Sequence, residues 1–261
     1  MAERPPHGIP ADAFPSEPID PPSSIGALHE VRAAKQFARL GLHLPLLAWK
    51  GGRAGRRKVV VIPGIHASDH STLGLRRYLR WLGHDVRGWE LGRNRADLAD
   101  LDRIVERLRE EFAEDGVRRS LVGWSLGGLI AREVARRCPE VVEQVVTYGT
   151  PVVGGAAYTI FARRFSDDDA ERAGTLVTDA PVPVPVTAIY SRADHVVSWR
   201  ACIDHHGDDV RHVEVRSTHV GMGVDPDVWK AVARVLAQPA RASKRRPASG
   251  RRRMGDARAA S

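Results

Sequence analysis

The segment that most clearly carries chemistry is Leu121–Gly128, which reads Leu-Val-Gly-Trp-Ser-Leu-Gly-Gly and contains the pattern G-x-S-x-G around Ser125. An apolar run precedes the pattern and a helix-forming run follows it, as in a strand–turn–helix nucleophile elbow. Gly123 and Gly127 lack a Cβ, so strand and helix can approach closely. The turn should hold Ser125 in a strained backbone conformation, at a cost of about 1–3 kcal/mol. The pattern alone is weak evidence, because glycine-rich serine turns are common.

A serine hydroxyl needs a base within hydrogen-bond reach and a third group that orients the base. After an elbow of this kind the order along the chain is serine, acid, histidine. The predicted strand that ends at Tyr190 runs into Asp194, and the last predicted strand, which ends at Arg216, runs into His219. Sites in open α/β sheets gather at these carboxyl ends of strands. The predicted catalytic set is therefore Ser125, Asp194 and His219.

Two backbone amides are predicted to stabilise the negative charge that develops during attack by a serine. One belongs to Leu126, directly after the serine, and the other to Ile65, in the loop after the β-branched run Lys58–Ile62. Such an oxyanion hole lowers the barrier because its donors are already in place. Four residues are predicted to contact the substrate: Gly64, His66, Trp124 and Pro151.

Other histidines and acids in the sequence are alternative site residues. The group Asp204, His205, His206 and Asp208 has the composition of a metal site, but no pair of histidines has the i, i+4 spacing of a helical ligand pair. No metal and no cofactor are therefore expected. His195 adjoins the predicted acid and is expected to line the mouth of the site. His205, His206 and His212 precede or lie within the last strand and are expected to point elsewhere.

The elements that must position these residues alternate between strands and helices, which favours a mostly parallel sheet with helices on both faces. The predicted strands are Lys58–Ile62, Asp85–Trp89, Ser120–Trp124, Val142–Tyr148, Val184–Tyr190 and Val210–Arg216. The predicted helices are Leu73–Leu82 (capped by Ser71 or Asp69), Asp97–Glu114, Leu129–Arg137 and Val228–Leu236.

The 261 residues are predicted to form one domain with two tails. Residues 1–24 are proline-rich and predict a disordered arm. The domain spans residues 25–240, with an amphipathic helical lead-in at 25–50 and a short cap segment at 152–180. Residues 241–261 form a basic tail, predicted to be disordered, with eight basic side chains and one acid, so a net +7 of the formal +8 lies there.

Charge and composition indicate which binding partners and which cellular compartment to expect. Because the folded body is nearly neutral, nucleic acid is not the expected partner, although weak contact of the tail with nucleic acid or an anionic membrane is the alternative. The sequence contains no apolar run long enough for a transmembrane helix and no apparent secretion signal, which predicts a cytoplasmic protein. Cys138 and Cys202 are expected to be reduced, with a single disulfide as the alternative.

With these residues in view, the chain resembles the α/β-hydrolase superfamily, and within it the lipase and esterase branch, over residues 58–236. The motifs that carry the resemblance are Val61–Gly64, Gly123–Gly128, Gly149–Pro151, Tyr190–Asp194 and Thr218-His219. The chain departs from the commoner pattern in having Pro63 where histidine often precedes the glycine, and Trp124 where histidine often precedes the serine. The first two strands of the family's sheet are not evident before Lys58, so a trimmed sheet is expected.

The resemblance implies an acyl-enzyme mechanism, in which Ser125 attacks an ester carbonyl, His219 relays the proton and Asp194 orients His219. The predicted function is hydrolysis of a carboxylic ester, with a small-molecule ester or a lipid as substrate and peripheral membrane contact left open. One alternative is an acyltransferase or a thioesterase that uses the same three residues. Another is a binding protein with an inactive hydrolase fold.

Overall fold

The computed structural model describes residues 56–153, 174–176, 179–207 and 209–239. Their strands are β1 (Lys58–Ile62), β2 (Asp85–Gly88), β3 (Arg119–Trp124), β4 (Val142–Tyr148), β5 (Val186–Ser191) and β6 (Val210–Val215). These form one parallel sheet in the order β2-β1-β3-β4-β5-β6. All six strands therefore deliver their carboxyl ends to the same edge of the sheet.

Helices cover both faces of this sheet, which confirms the predicted fold class. They are α1 (Leu73–Trp81), α2 (Leu98–Asp115), α3 (Leu126–Arg137) and α4 (Pro226–Ala237). The helices α2 and α3 pack on one face, and α1 and α4 pack on the other. Strand β1 supplies both layers, since Val60 and Ile62 face one and Val59 and Val61 face the other. This explains its unbroken β-branched sequence, because a strand buried on both faces has no polar side to present.

Local sequence signals mark the starts of two helices and the end of one, and α4 begins two residues before the predicted Val228. Asp97 caps α2 by accepting a hydrogen bond from the amide of Ala99 at 2.9 Å, and Gly116 ends the helix with φ 66°. Asp225 caps α4 in the same way, with Pro226 at the first helical position. A proline is favourable there because its missing N–H would have no partner within the helix.

The predicted cap of α1 is wrong. A short 3₁₀ turn at Asp69–Thr72 precedes the helix, and Thr72 stands at the cap position without a side-chain hydrogen bond. The carboxylate of Asp69 instead accepts hydrogen bonds from the amides of Trp89 and Glu90, at 3.1 and 3.0 Å. Asp69 therefore joins the loop after β1 to the loop after β2.

Several predictions fall outside the described residues. These are the arm at 1–24, the lead-in at 25–50, most of the cap segment at 152–180, and the tail at 241–261. Any strand before β1 would also fall there. None of the helices that the structure describes is long and apolar enough to cross a membrane. Cys138 and Cys202 are both buried and free, which argues against the alternative of a disulfide.

A buried ion pair anchors α3 to the loop that leads into β6. Nη2 of Arg132 lies 2.6 Å from Oδ2 of Asp204, and the two side chains are 3% and 0% exposed. The amide of Asp204 donates a hydrogen bond to Nε2 of His212 at 3.0 Å. Burial alone would raise the pKa of Asp204, but the Arg132 guanidinium and a hydrogen bond from the backbone amide of His206 together hold that pKa below its usual range. The pair thus fixes α3, whose first turn follows Ser125, to the loop that leads into β6.

Replacing Arg132 with methionine is predicted to lower the free energy of unfolding by about 3–5 kcal/mol, because a buried carboxylate loses its partner. The double variant Arg132→Met/Asp204→Leu should recover most of that loss. Arg109→Ala, which breaks a surface pair with Glu140 whose two side chains are 53% and 52% exposed, is the control and should cost under about 1 kcal/mol. Urea denaturation measures all three, and equal losses for the two single variants would contradict the role of the buried pair.

The pH dependence of stability is predicted to report on His212. Burial lowers the pKa of His212 to about 4, against about 6.5 in an unfolded chain. Below about pH 6.5 the unfolded state takes up the proton first, so up to about 3 kcal/mol of stability is lost between pH 6.5 and pH 4. The variant His212→Gln should lose correspondingly less over that range in chemical denaturation. The same pH dependence in both proteins would count against this assignment.

Candidate active site

Ser125 forms a one-residue turn between β3, which ends at Trp124, and α3, which begins at Leu126. Its backbone has φ 52° and ψ −122°, a conformation that non-glycine residues rarely adopt. The Ser125 amide donates to the carbonyl of Tyr148 at 2.9 Å, and the Ser125 carbonyl accepts from Thr150 Oγ1 at 3.0 Å. Contacts with the end of β4 and the loop after it therefore hold the strained turn.

The two glycines of the G-x-S-x-G pattern leave room for backbone atoms. A Cβ on Gly123 would lie 2.3 Å from the carbonyl oxygen of Gly127, and a Cβ on Gly127 would lie 2.3 Å from the carbonyl oxygen of Ile62. Neither position accepts a side chain unless α3 moves away from the sheet. The turn thus depends on packing of backbone against backbone.

The structure brings Ser125, His219 and Asp194 into one hydrogen-bonded chain. Nε2 of His219 lies 3.1 Å from Oγ of Ser125, and Nδ1 of His219 lies 2.7 Å from Oδ2 of Asp194. A carboxylate can only accept, so the hydrogen of the imidazole belongs on Nδ1 and the Ser125 hydroxyl can donate to Nε2. The side chains of Asp194 and His219 are only 1% and 7% exposed.

Backbone donors fix the carboxylate of Asp194. Its Oδ1 accepts hydrogen bonds from the amides of Val196 and Val197, at 2.9 and 2.8 Å. Its second oxygen therefore remains directed at the imidazole of His219. The arrangement can accept a proton from the serine hydroxyl while the carboxylate stabilises the imidazolium that results.

Sequence reasoning missed Ser191, the last residue of β5. Its hydroxyl accepts hydrogen bonds from the amides of Ala193 and Ser217, at 3.0 and 3.1 Å. It thereby joins the loop that carries Asp194 to the loop that carries His219. No local signal reveals this contact, because it requires that β5 and β6 be neighbours in the sheet.

The imidazole of His219 is close to an aromatic ring and to a glycine. The ring of Trp124 is 5.9 Å from it between centroids, and Trp124 also stacks on Tyr148 at 6.4 Å. Gly149 has φ 58°, and a Cβ there would lie 3.1 Å from the imidazole. Trp124, predicted to contact the substrate, is thus a half-buried support of His219 in this structure.

The loop after β1 lies against the serine. A Cβ on Gly64 would be 3.5 Å from Cβ of Ser125, and the next residue, Ile65, is half-buried. His66 is exposed and has φ 56°. Leu126 opens α3, where amides have no acceptor within the helix. The amides of Leu126 and Ile65 therefore belong to two segments that flank Ser125.

The other predicted residues take different positions. Pro151 is buried two residues after Gly149. The imidazole of His206 lies 3.3 Å from Asp179, and His212 belongs to the buried cluster around Asp204. Within the described ranges, no three or more histidine, cysteine, aspartate or glutamate side chains are grouped so that they could hold a metal ion.

Replacing Gly127 with alanine is predicted to cost more than about 1–3 kcal/mol of unfolding free energy, because the added Cβ overlaps the end of β1. Gly223→Ala is the matched control, since a Cβ there meets no atom within 4 Å. Urea denaturation compares the two. A Gly127→Ala protein as stable as the control would show that the turn does not require this contact.

Comparison with known proteins gives one similar curated sequence. No family model matches the chain. A pimeloyl-[acyl-carrier protein] methyl ester esterase from Sodalis glossinidius (strain morsitans) is 34% identical over 106 residues. These residues make up 39% of this chain and 39% of that esterase, so the chain matches well under half of the relative's length.

Solved structures resemble the chain over a larger share. A structure from a study of LipS and LipT, two metagenome-derived lipolytic enzymes, superposes with a TM-score of 0.53 at 19% identity, and covers 70% of this chain and 93% of that one. A soluble variant of monoglyceride lipase from Saccharomyces cerevisiae superposes with a TM-score of 0.55 at 13% identity, and covers 72% and 88%. At such identities the likeness concerns the fold. The chain therefore shares the fold of these lipolytic enzymes.

Proposed function

We propose that the protein is a serine hydrolase that cleaves carboxylic esters through an acyl-enzyme. The observation that carries the proposal is the hydrogen-bonded chain from Ser125 through His219 to Asp194, with heavy-atom distances of 3.1 and 2.7 Å. These distances fall within the reach that proton transfer between nucleophile, base and orienting acid requires. Similarity to an esterase in sequence and to lipases in fold agrees with this proposal.

In the first half of the proposed reaction, Oγ of Ser125 attacks the ester carbonyl carbon while Nε2 of His219 takes the hydroxyl proton. The carbonyl oxygen becomes an oxyanion that accepts hydrogen bonds from the amides of Leu126 and Ile65. Collapse of the tetrahedral intermediate breaks the ester bond, and His219 returns the proton to the departing alcohol. In the second half, water attacks the acyl-enzyme by the same route and releases the acid.

The proposed substrate is a small-molecule ester or a lipid. Two apolar side chains in the loops beside the site, Ile65 and Leu91, are half-buried against the core, and Val220, next to His219, is 49% exposed. An apolar acyl chain gains free energy when such surface is covered, about 25 cal/mol per Å². Transfer of the acyl group to another acceptor than water uses the same steps, so adding an alcohol during turnover separates the two outcomes.

The direct prediction concerns Ser125. Replacing it with alanine should lower kcat for p-nitrophenyl butyrate by at least about 10⁴-fold, because the nucleophile is lost. His219→Ala should have a comparable effect. A fluorophosphonate should label the native protein and fail to label Ser125→Ala.

Two residues in the 3₁₀ turn before α1 provide matched controls. Ser71→Ala and His70→Gln change an exposed serine and an exposed histidine outside the proposed site, and should leave kcat within about twofold. Turnover by Ser125→Ala that equals that of the native protein would overturn the proposed function. So would the absence of both turnover and labelling in the native protein over a panel of esters graded by acyl length.

A further inference from the structure

Building on the proposed function, we propose that Asn94 is a positioning residue for the oxyanion hole. Asn94 belongs to the loop after β2 and is fully buried. It holds residues 63–67, the part of the loop after β1 that contains the Ile65 amide, in place beside Ser125. It acts through the backbone of that loop and does not itself contact the reacting atoms.

Both polar atoms of the Asn94 side chain are used. Nδ2 donates to the carbonyl of Pro63 at 2.8 Å, and Oδ1 accepts from the amide of Ala96 at 3.1 Å. One atom must donate and the other must accept, which an amide side chain provides in one plane. An aspartate of the same size would lose the donor to Pro63, and an alanine would lose both bonds. The hydrogen-bond partners at this position therefore require an asparagine.

The backbone of Asn94 reaches the other side of the same turn. The amide of His66 donates to the carbonyl of Asn94 at 2.7 Å, and the amide of Asn94 donates to the carbonyl of Ala67 at 2.9 Å. Together with the bond to Pro63, three hydrogen bonds from one residue hold the chain on both sides of Ile65. A shift of Asn94 would therefore move the Ile65 amide.

Asn94 holds a turn, from Gly64 to Ala67, that contains a residue in a strained backbone conformation. The amide of Ala67 bonds to the carbonyl of Gly64 at 3.2 Å, and the third residue of this four-residue turn, His66, has φ 56°. Positive φ in the third position is the mark of a type II turn, where glycine or asparagine is usual. A histidine there is strained by about 1–3 kcal/mol and persists when its surroundings enforce it. The bond from the His66 amide to Asn94 provides that enforcement.

Asp69 holds in place the loop after β2, which contains Asn94. Its carboxylate binds the amides of Trp89 and Glu90, directly after β2. A Cβ on Gly88 would lie 2.2 Å from Oδ1 of Asp69, so the approach depends on that glycine. Asp69 thus fixes the start of the loop after β2, and Asn94 binds the later part of that loop to the loop after β1.

A displaced oxyanion donor slows the chemical step more than it weakens substrate binding, because its hydrogen bond forms fully in the transition state. Loss of one donor typically costs about 10²–10³-fold in kcat. Because the Ile65 amide is displaced and not removed, Asn94→Asp should lower kcat by about 10–100-fold with KM within about twofold. Affinity for a trifluoromethyl ketone, whose adduct with serine mimics the oxyanion, should fall by a similar factor.

The experiment measures kcat, KM, trifluoromethyl ketone affinity and unfolding free energy for Asn94→Asp and Asn94→Ala. Asp97→Ala is the matched control in the same loop, because it removes the cap of α2. That loss should cost about 1 kcal/mol of stability. The control should leave kcat and ketone affinity unchanged. The expected result is a selective fall in kcat and in ketone affinity in the two Asn94 variants.

Three outcomes would overturn the inference: folded Asn94 variants with kcat within twofold of the native value, variants altered in KM alone, or loss of the folded state in both variants. The last outcome would assign Asn94 to the stability of the fold. Ser125→Ala, measured in parallel, separates this inference from the proposed function. If Ser125→Ala retains native turnover, the proposed function fails, whereas an inactive Ser125→Ala beside a fully active Asn94→Asp removes only the role of Asn94.

Discussion

The close approach of α3 to the sheet at Ser125 governs the geometry of the candidate site. The Cα of Gly127 lies so near the end of β1 that a Cβ would be 2.3 Å from the carbonyl oxygen of Ile62. Because strand and helix are joined by one residue, Ser125 takes a strained conformation and its hydroxyl stands above the edge of the sheet. The positive end of the α3 dipole lies next to Ser125 and favours negative charge there.

The remaining contacts hold the neighbouring loops at fixed positions relative to the hydroxyl of Ser125. Ser191 joins the loops that carry Asp194 and His219, and Asp69 joins the loops after β1 and β2. All of these loops leave the carboxyl ends of parallel strands, so the topology already places them on one edge. Side-chain hydrogen bonds to backbone then reduce the freedom that loops usually have. The candidate site is therefore rigid where the proposed chemistry requires fixed distances.

Much of this fold could be predicted from local sequence. The β-branched run in Lys58–Ile62 predicts β1 with the bounds that the structure has, since a strand buried on both faces has a continuous apolar sequence. The order of Ser125, Asp194 and His219, each after a predicted strand, indicated three residues that the structure brings within hydrogen-bond distance. Their catalytic role remains the proposal. The predicted start of α3 at Leu129 was three residues late, because Gly127 and Gly128 disfavour helix and tertiary contacts override that preference.

The contacts that could not be predicted all join residues from different loops. Asp69 has the sequence of a helix cap, yet its partners lie 20 and 21 residues away. No local signal indicates the contacts of Asn94 with the loop after β1, because Pro63 and Ala67 become its neighbours only when β1 and β2 pair.

Rapid mixing with a p-nitrophenyl ester, followed by acid quench and peptide mass spectrometry, tests whether Ser125 is the nucleophile that forms an acyl-enzyme. We expect a burst of about one equivalent of p-nitrophenol and an acyl group on the peptide that contains Ser125. Steady turnover without an acylated peptide, or an acyl group on a residue other than Ser125, would contradict it.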